Sequence, residues 1–175
     1  LGVLFAEAEA SDDLIGQRQF DLKLVKELRI NDGDTGFSYN KIFVDGIDDQ
    51  LETVVVDEPY MRVHEQMLVT RAKNLRRIVL CTQNDCLQEK LNQLRNDLIT
   101  RHIVLTIKCS NSMHDREIRF DNGWTYRIGR GLNYFKRERH FTLGMTDYEF
   151  KKCFETVVCI LREMRPKSRI ESNES

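Results

Sequence analysis

Thr53-Val54-Val55-Val56 is an unbroken apolar run, another follows at Ile78-Val79-Leu80-Cys81, and a third strand is read from Ile103 to Lys108. Continuous rather than alternating hydrophobicity marks strands buried on both faces, as in parallel sheets. Between the first two runs, Val63, Met67, Leu68, Ala72 and Leu75 share one face of a helix. Between the second and third, Asp85 opens another helix, with Gln88 placed for a capping box and Leu87, Leu91, Leu94 and Leu98 as its stripe. A β-α-β-α-β series requires right-handed crossovers and a largely parallel sheet with helices on its faces.

Downstream the pattern changes. His114 to Phe120 and Trp124 to Ile128 flank the short turn Asp121-Asn122-Gly123, which predicts an antiparallel hairpin. A last helix is expected from Thr146, with Glu149 as its box partner. It would bury Phe150, Phe154, Val157, Val158, Leu161 and Met164 and stop before Pro166. Upstream, residues 1 to about 30 read as a polar, partly helical lead-in with Leu22, Val25 and Leu28 at helical spacing. Asn31 to Gly36 is the clearest turn in the chain. The fold class is therefore α/β with a mixed sheet. Residues 1–24 read as an extension or linker, 25–165 as the domain and 166–175 as a disordered tail.

The 175 residues, 41% hydrophobic and 31% charged, suit one soluble globular domain. No stretch approaches the roughly 20 apolar residues of a membrane span. Leu1 to Ala10 is too short and lacks a basic start, so no signal peptide is read, and a beginning at Leu1 suggests a fragment. Five cysteines without a Cys-x-x-Cys pair read as buried, reduced thiols of a cytosolic protein, with no metal and no cofactor implied.

Net charge is only −1, yet the charges are segregated. Phe43 to Glu58 holds six acids and no base. Arg127 to His140 holds Arg127, Arg130, Lys136, Arg137 and Arg139 against Glu138 alone. That pattern points to a local anion site rather than to nucleic acid. Trp124, Tyr126, Tyr134, Phe135 and Phe141 are interleaved with the cations. Tyr and Trp suit a membrane interface, where one edge of the ring is apolar and the other wet, and Trp124, Tyr134 and Phe135 are the residues expected there. The competing reading is a solvated basic loop with core aromatics behind it. Gly129 and Gly131 favour a tight bend with backbone amides available to an anion.

His114-Asp115-Arg116-Glu117-Ile118-Arg119-Phe120-Asp121 has the spacing His-x-Arg-x-x-x-x-Asp. It is similar to the phospholipase D signature, with Arg116 in place of Lys. In that chemistry the imidazole attacks phosphorus, the cation holds the phosphate and the carboxylate orients the imidazole. A lone strand histidine more often packs or hydrogen-bonds. The chemistry also needs two histidines, which one motif per chain supplies only across a dimer axis.

The run from His114 to Phe120 continues through Asn122-Gly123-Trp124 and Ile128-Gly129-Arg130-Gly131-Leu132. Supporting matches are Thr35-Gly36-Phe37-Ser38-Tyr39 with Phe43, Asp57 to Arg62, Phe141-x-Leu143-Gly144, and Cys153-x-Glu155-Thr156. Together, over residues 25 to 162, these resemble the C-terminal domain of the MIT-domain-containing proteins that work with the ESCRT-III machinery. The resemblance implies a phospholipase D-like fold, a homodimer and a catalytically inert module. It further implies docking on acidic, phosphoinositide-containing membranes during abscission, at cytoplasmic membrane surfaces of the endosome and midbody. The residues expected to meet lipid phosphate are Arg116, Arg119, Arg127, Arg130, Lys136, Arg137 and Arg139.

Two departures qualify this. Residues 1–24 are too short for the three-helix MIT domain that grips ESCRT-III, so that partner is not assigned to this chain. Relatives also tend to carry Asn at the position of Asp121, which here completes the lipase-like spacing. An active phosphodiesterase using His114, Arg116 and Asp121 across a dimer interface therefore stands as the alternative. A purely structural dimerisation domain is a third reading, and it leaves the basic segment unexplained.

Overall fold

A computed structural model describes residues 21–59, 71–83, 88–109 and 116–164. Seven strands form one mixed sheet: β1 (Leu22–Ile30), β2 (Thr53–Asp57), β3 (Arg77–Thr82), β4 (Val104–Cys109), β5 (Glu117–Phe120), β6 (Trp124–Ile128) and β7 (Thr156–Glu163). Their order is β1-β7-β6-β5-β2-β3-β4. The three strands read from the sequence are adjacent and parallel, Val55 pairing with Val79 and Val79 with Thr106. The third, β4, is corrected from a buried strand to an edge strand, with Leu105 buried but Val104 59% exposed. All other pairings are antiparallel. In β2, Val54, Val55 and Val56 are all buried, as an unbroken apolar run requires.

Helix α1 (Tyr39–Ile42) is capped by Ser38, whose hydroxyl accepts from the amide of Lys41. Helix α2 (Gln88–Ile99) buries Leu91, Leu94 and Leu98, the stripe read from the sequence. Both helices feed one core with Val54, Val56, Ile78, Leu80, Ile118, Phe120, Tyr126, Ile128, Val158 and Ile160. Within each strand these residues alternate, so they line a single face of the sheet. Ala72 and Leu75 are also in this core, while Val63, Met67, Leu68, Asp85 and Leu87 lie outside the described residues.

Two further expectations are corrected. The predicted last helix is strand β7, preceded by two 3-10 turns at Leu143–Met145 and Tyr148–Phe150. Val157, Val158 and Ile160 are β-branched, which favours strand over helix. Period-two alternation also fits the burial better, with Thr156, Val158 and Ile160 in and Val157 out. The decisive gain is pairing on both sides, with β1 and with β6. The helical lead-in is likewise a strand, β1, with the sheet already including Leu22. A bulge between Leu24 and Lys26 shifts its register, so that Leu28 and Ile30, opposite Val158 and Thr156, turn to the core face while Leu22 and Leu24, opposite Glu163 and Leu161, turn to the other. Apolar residues split by such a bulge mimic helical spacing.

Candidate functional site

Register brings the first group of residues together. Asp57 on β2 pairs with Glu117 on β5, so the next residue, Glu58, falls opposite Arg116. Glu117 also pairs with Arg127 on β6, which delivers the bend Gly129-Arg130-Gly131-Leu132 to the same edge. This is the carboxyl end of the parallel strands, where open α/β sheets place their ligand crevices. Glu58 is 2% exposed, and its Oε2 accepts from the amide of Leu132 at 3.0 Å. The Arg116 guanidinium lies 4.0 Å from Glu58 Oε1 and donates to the carbonyl of Gly129 at 3.2 Å. The cation expected to clamp a phosphate thus already faces a carboxylate.

Asp121 sits at the opposite end of β5. Its carboxylate accepts from the amides of Glu52 (3.2 Å) and Thr53 (2.9 Å), fastening the hairpin turn to the start of β2. Five steps along the extended strand separate Asp121 from Arg116, roughly 16 Å. Asp121 thus fastens the turn in this structure and is not brought together with Arg116. His114 lies outside the described residues.

The remaining cations divide by what they touch. Arg119 pairs with Asp57 at 3.2 Å, Arg127 with Glu117 at 2.9 Å and Lys136 with Asp32 at 2.7 Å. Arg130 lies 4.7 Å over the Phe154 ring and donates to the carbonyl of Glu155. Arg137 and Arg139 are exposed and, among the described residues, outside every ion pair. The acidic segment read from the sequence thus meets Arg119 of the hairpin's first strand and Arg116 just before it, through Asp57 and Glu58, upstream of the basic run that begins at Arg127.

Arg137 and Arg139 belong to a second site. Residues 134–136 run beside 152–154, with the Lys136 amide donating to Lys152 O and the Phe154 amide to Tyr134 O. From this ladder the chain projects as a tip. Glu138, the one acid in the basic run, turns back into it. Its Oε1 accepts from the Lys152 amide at 3.0 Å and its Oε2 from the Thr142 hydroxyl at 3.1 Å. The hydrogen bond from the Lys152 amide first, then that from Thr142 and the charges of Lys152 and Lys151, hold its carboxyl below the ordinary 4.5. Gly144 packs beneath, where a Cβ would stand 2.7 Å from Glu138 Oε1. Phe141 is fully exposed at a φ of +65, with Leu143 72% and Met145 47% exposed. The tip presents apolar and cationic side chains together, with its carboxylate turned inward.

Residues 36–162 match the family described as the phospholipase D-like domain at the C-terminus of MIT. The chain belongs to this family. It is also 34% identical to MIT domain-containing protein 1 of Mus musculus, over 91% of this chain and 71% of that one. Among solved structures it is similar at 11% identity and a TM-score of 0.40 to the archaeal chromatin protein TrmBL2, whose structure shows a novel mode of DNA binding. The overlap covers 93% of this chain and 57% of that one, and at this score nothing follows for this domain.

As a phospholipase D-like domain at the C-terminus of MIT, the chain places its expected interface aromatics differently from the sequence reading. Tyr134 is wholly buried, its hydroxyl donating to the carbonyl of Phe37, and Phe135 packs edge-on against Tyr39 and Tyr148. The ring of Trp124 packs on the core with Arg162 above it. Tyr134 is sealed in the core, while Trp124 and Phe135 pack against it and keep part of their surface exposed. Phe141, read with the basic segment, is the exposed aromatic there, and its exposed apolar companions Leu143 and Met145 were missed. Their signal was the alternation Phe141-x-Leu143-x-Met145, directly after the cations and outside any strand or helix that would bury it.

Proposed function

We propose that this domain docks as a homodimer on anionic, phosphoinositide-containing membranes, and that it hydrolyses no phosphodiester there. The tip from Arg137 to Met145 carries the reading. Each apolar side chain moved out of water contributes about 1.5–3 kcal/mol, and each arginine near an anionic surface about 1 kcal/mol. Phe141, Leu143, Arg137 and Arg139 can contribute at once because Glu138 faces inward. A second copy would bring a second tip and strengthen attachment by avidity.

Catalytic silence is supported by Glu58. A phosphodiester is an anion, and the carboxylate of Glu58 stands where Arg116 would receive it. The planar guanidinium is also a poor substitute for a point cation at phosphorus. Family membership suggests ESCRT-III-linked abscission at cytoplasmic membrane surfaces as the setting. Among the described residues no helix is long and apolar enough to cross a membrane.

The test is sedimentation with phosphatidylcholine vesicles, with and without anionic lipid. Binding should require the anionic lipid and weaken as salt rises, since exposed charges are screened over about 10 Å at 0.1 M. Equal sedimentation with neutral vesicles would overturn it. Light scattering should give twice the chain mass of 20.7 kDa. Bis-p-nitrophenyl phosphate should stay intact, and turnover that disappears in His114→Ala would establish the phosphodiesterase instead.

A further inference from the structure

We propose that Thr142 is a phosphorylation site for a basophilic protein kinase, and that its phosphate switches the tip off as a docking surface. The switching half rests on the docking reading above. Arg137 and Arg139 stand five and three residues before Thr142, and Leu143 follows it. Kinases that read charge patterns place acidic pockets at such upstream positions, where arginine forms charge-assisted hydrogen bonds. Here both arginines and Thr142 are exposed on one projecting segment. The backbone of Thr142 is extended (φ −108, ψ 153), the form in which a peptide lies along a groove.

The modification step is an ordinary phosphoryl transfer. Oγ1 of Thr142 attacks the γ-phosphorus of ATP, and the bond from that phosphorus to the β-bridging oxygen breaks. ADP leaves, and the hydroxyl proton passes to the kinase's catalytic carboxylate.

Two consequences follow from the geometry. A phosphate brings about −1.5 to −2 charges at pH 7 and sets them between Phe141 and Leu143, the side chains meant for the membrane. It also removes the hydroxyl proton that Thr142 offers to Glu138 Oε2 at 3.1 Å and to the carbonyl of Arg139 at 3.0 Å. The phosphate and the Glu138 carboxylate then repel. Glu138 is driven off the Lys152 amide, and the tip loosens at its base.

The experiment incubates the full chain with ATP and a purified kinase that requires arginine at these upstream positions, then maps the product by mass spectrometry. Vesicles of phosphatidylcholine with phosphatidylserine measure docking, and amide hydrogen exchange at Lys152 measures the tip. The expected result is transfer to Thr142, at least a tenfold rise in the lipid needed for half-binding, and faster exchange at Lys152. Each charge near an anionic surface is worth about fivefold. Thr142→Val should show no kinase-dependent change in either readout.

Phosphorylation confined to other residues would overturn the site. A Thr142-phosphorylated chain that binds vesicles as before would overturn the switch. If the unmodified chain ignores anionic vesicles, the docking reading and the switch both fall. Transfer to Thr142 with faster Lys152 exchange would then still establish the site and its effect on the tip.

Discussion

A Cβ atom on Gly131 would stand 1.8 Å from Oε2 of Glu58. The bend at Gly131 has a φ of +59, so the backbone favours glycine there even before the clash is counted. The buried carboxylate cannot step aside, because it holds the amide of Leu132. Gly131→Ala should therefore cost about 3 kcal/mol or more, from strain plus a displaced buried charge. Gly33→Ala is the comparison: its φ is +85 but nothing lies within 4 Å, so strain alone should cost about 1–2 kcal/mol. Urea unfolding of the two variants checks this, and equal losses would contradict the packing around Glu58.

The cations that form structural ion pairs should separate from those that dock. Arg137→Glu with Arg139→Glu should weaken vesicle binding by tenfold or more while changing unfolding free energy by no more than about 0.5 kcal/mol. Lys136→Ala breaks the contact with Asp32 and should shift binding by only a fewfold. Sedimentation and urea melts on the same samples give both numbers.

Phe141→Asp combined with Leu143→Asp should abolish docking without loss of stability, since neither side chain is buried in the fold. A folded double variant that still sediments with anionic vesicles would mean that the membrane touches some other face.

Acid should undo the tip in a defined direction. The carboxyl of Glu138 is lowered from 4.5, chiefly by the Lys152 amide, so its contribution is full above that value and is lost as pH falls through the folded-state value. Amide exchange at Lys152, corrected for the intrinsic rate, should quicken on acidification below pH 4.5. Glu138→Gln keeps an acceptor but loses the charge, and should flatten that dependence.

Thiol reactivity should follow burial. Burial, with the Asp57 carboxylate beside it, pushes the Cys81 thiol up to about 12, and burial pushes Cys153 up to about 11. Both stay protonated at pH 8, and their labelling should rise only as pH approaches those values. Cys109 is exposed, against the expectation of uniformly buried thiols, and should label before Cys81 and Cys153. Peptide mapping after a short pulse of iodoacetamide reads the order.

The parallel strands were legible because Val54 to Val56 and Ile78 to Leu80 are apolar without interruption, which only a strand covered on both faces explains at that length. The hairpin was legible from Asn122-Gly123. The strand β7 was not, because its apolar residues satisfy both periods and the choice is made by β1 and β6, distant in sequence. The cations were visible as a group, but their division depends on Asp57 and Glu58, which reach them through strand register, and on Asp32, which reaches Lys136 from the turn after β1. Tyr134 and Phe141 are both aromatic and both near basic residues; the folding of 134–136 beside 152–154 is what buries one and exposes the other.

The antiparallel pairing of β1 with β7 sets Leu22 opposite Glu163. The chain therefore enters and leaves the described sheet at one corner. A pull applied between these two points would not load the strands in shear, where many hydrogen bonds resist together. It would open β1 from β7 like a zip, one pair at a time, reaching the bulge between Leu24 and Lys26 almost at once. Under tension between its two ends the domain should yield first at this edge, at low force, while β2, β3 and β4 stay folded beyond it.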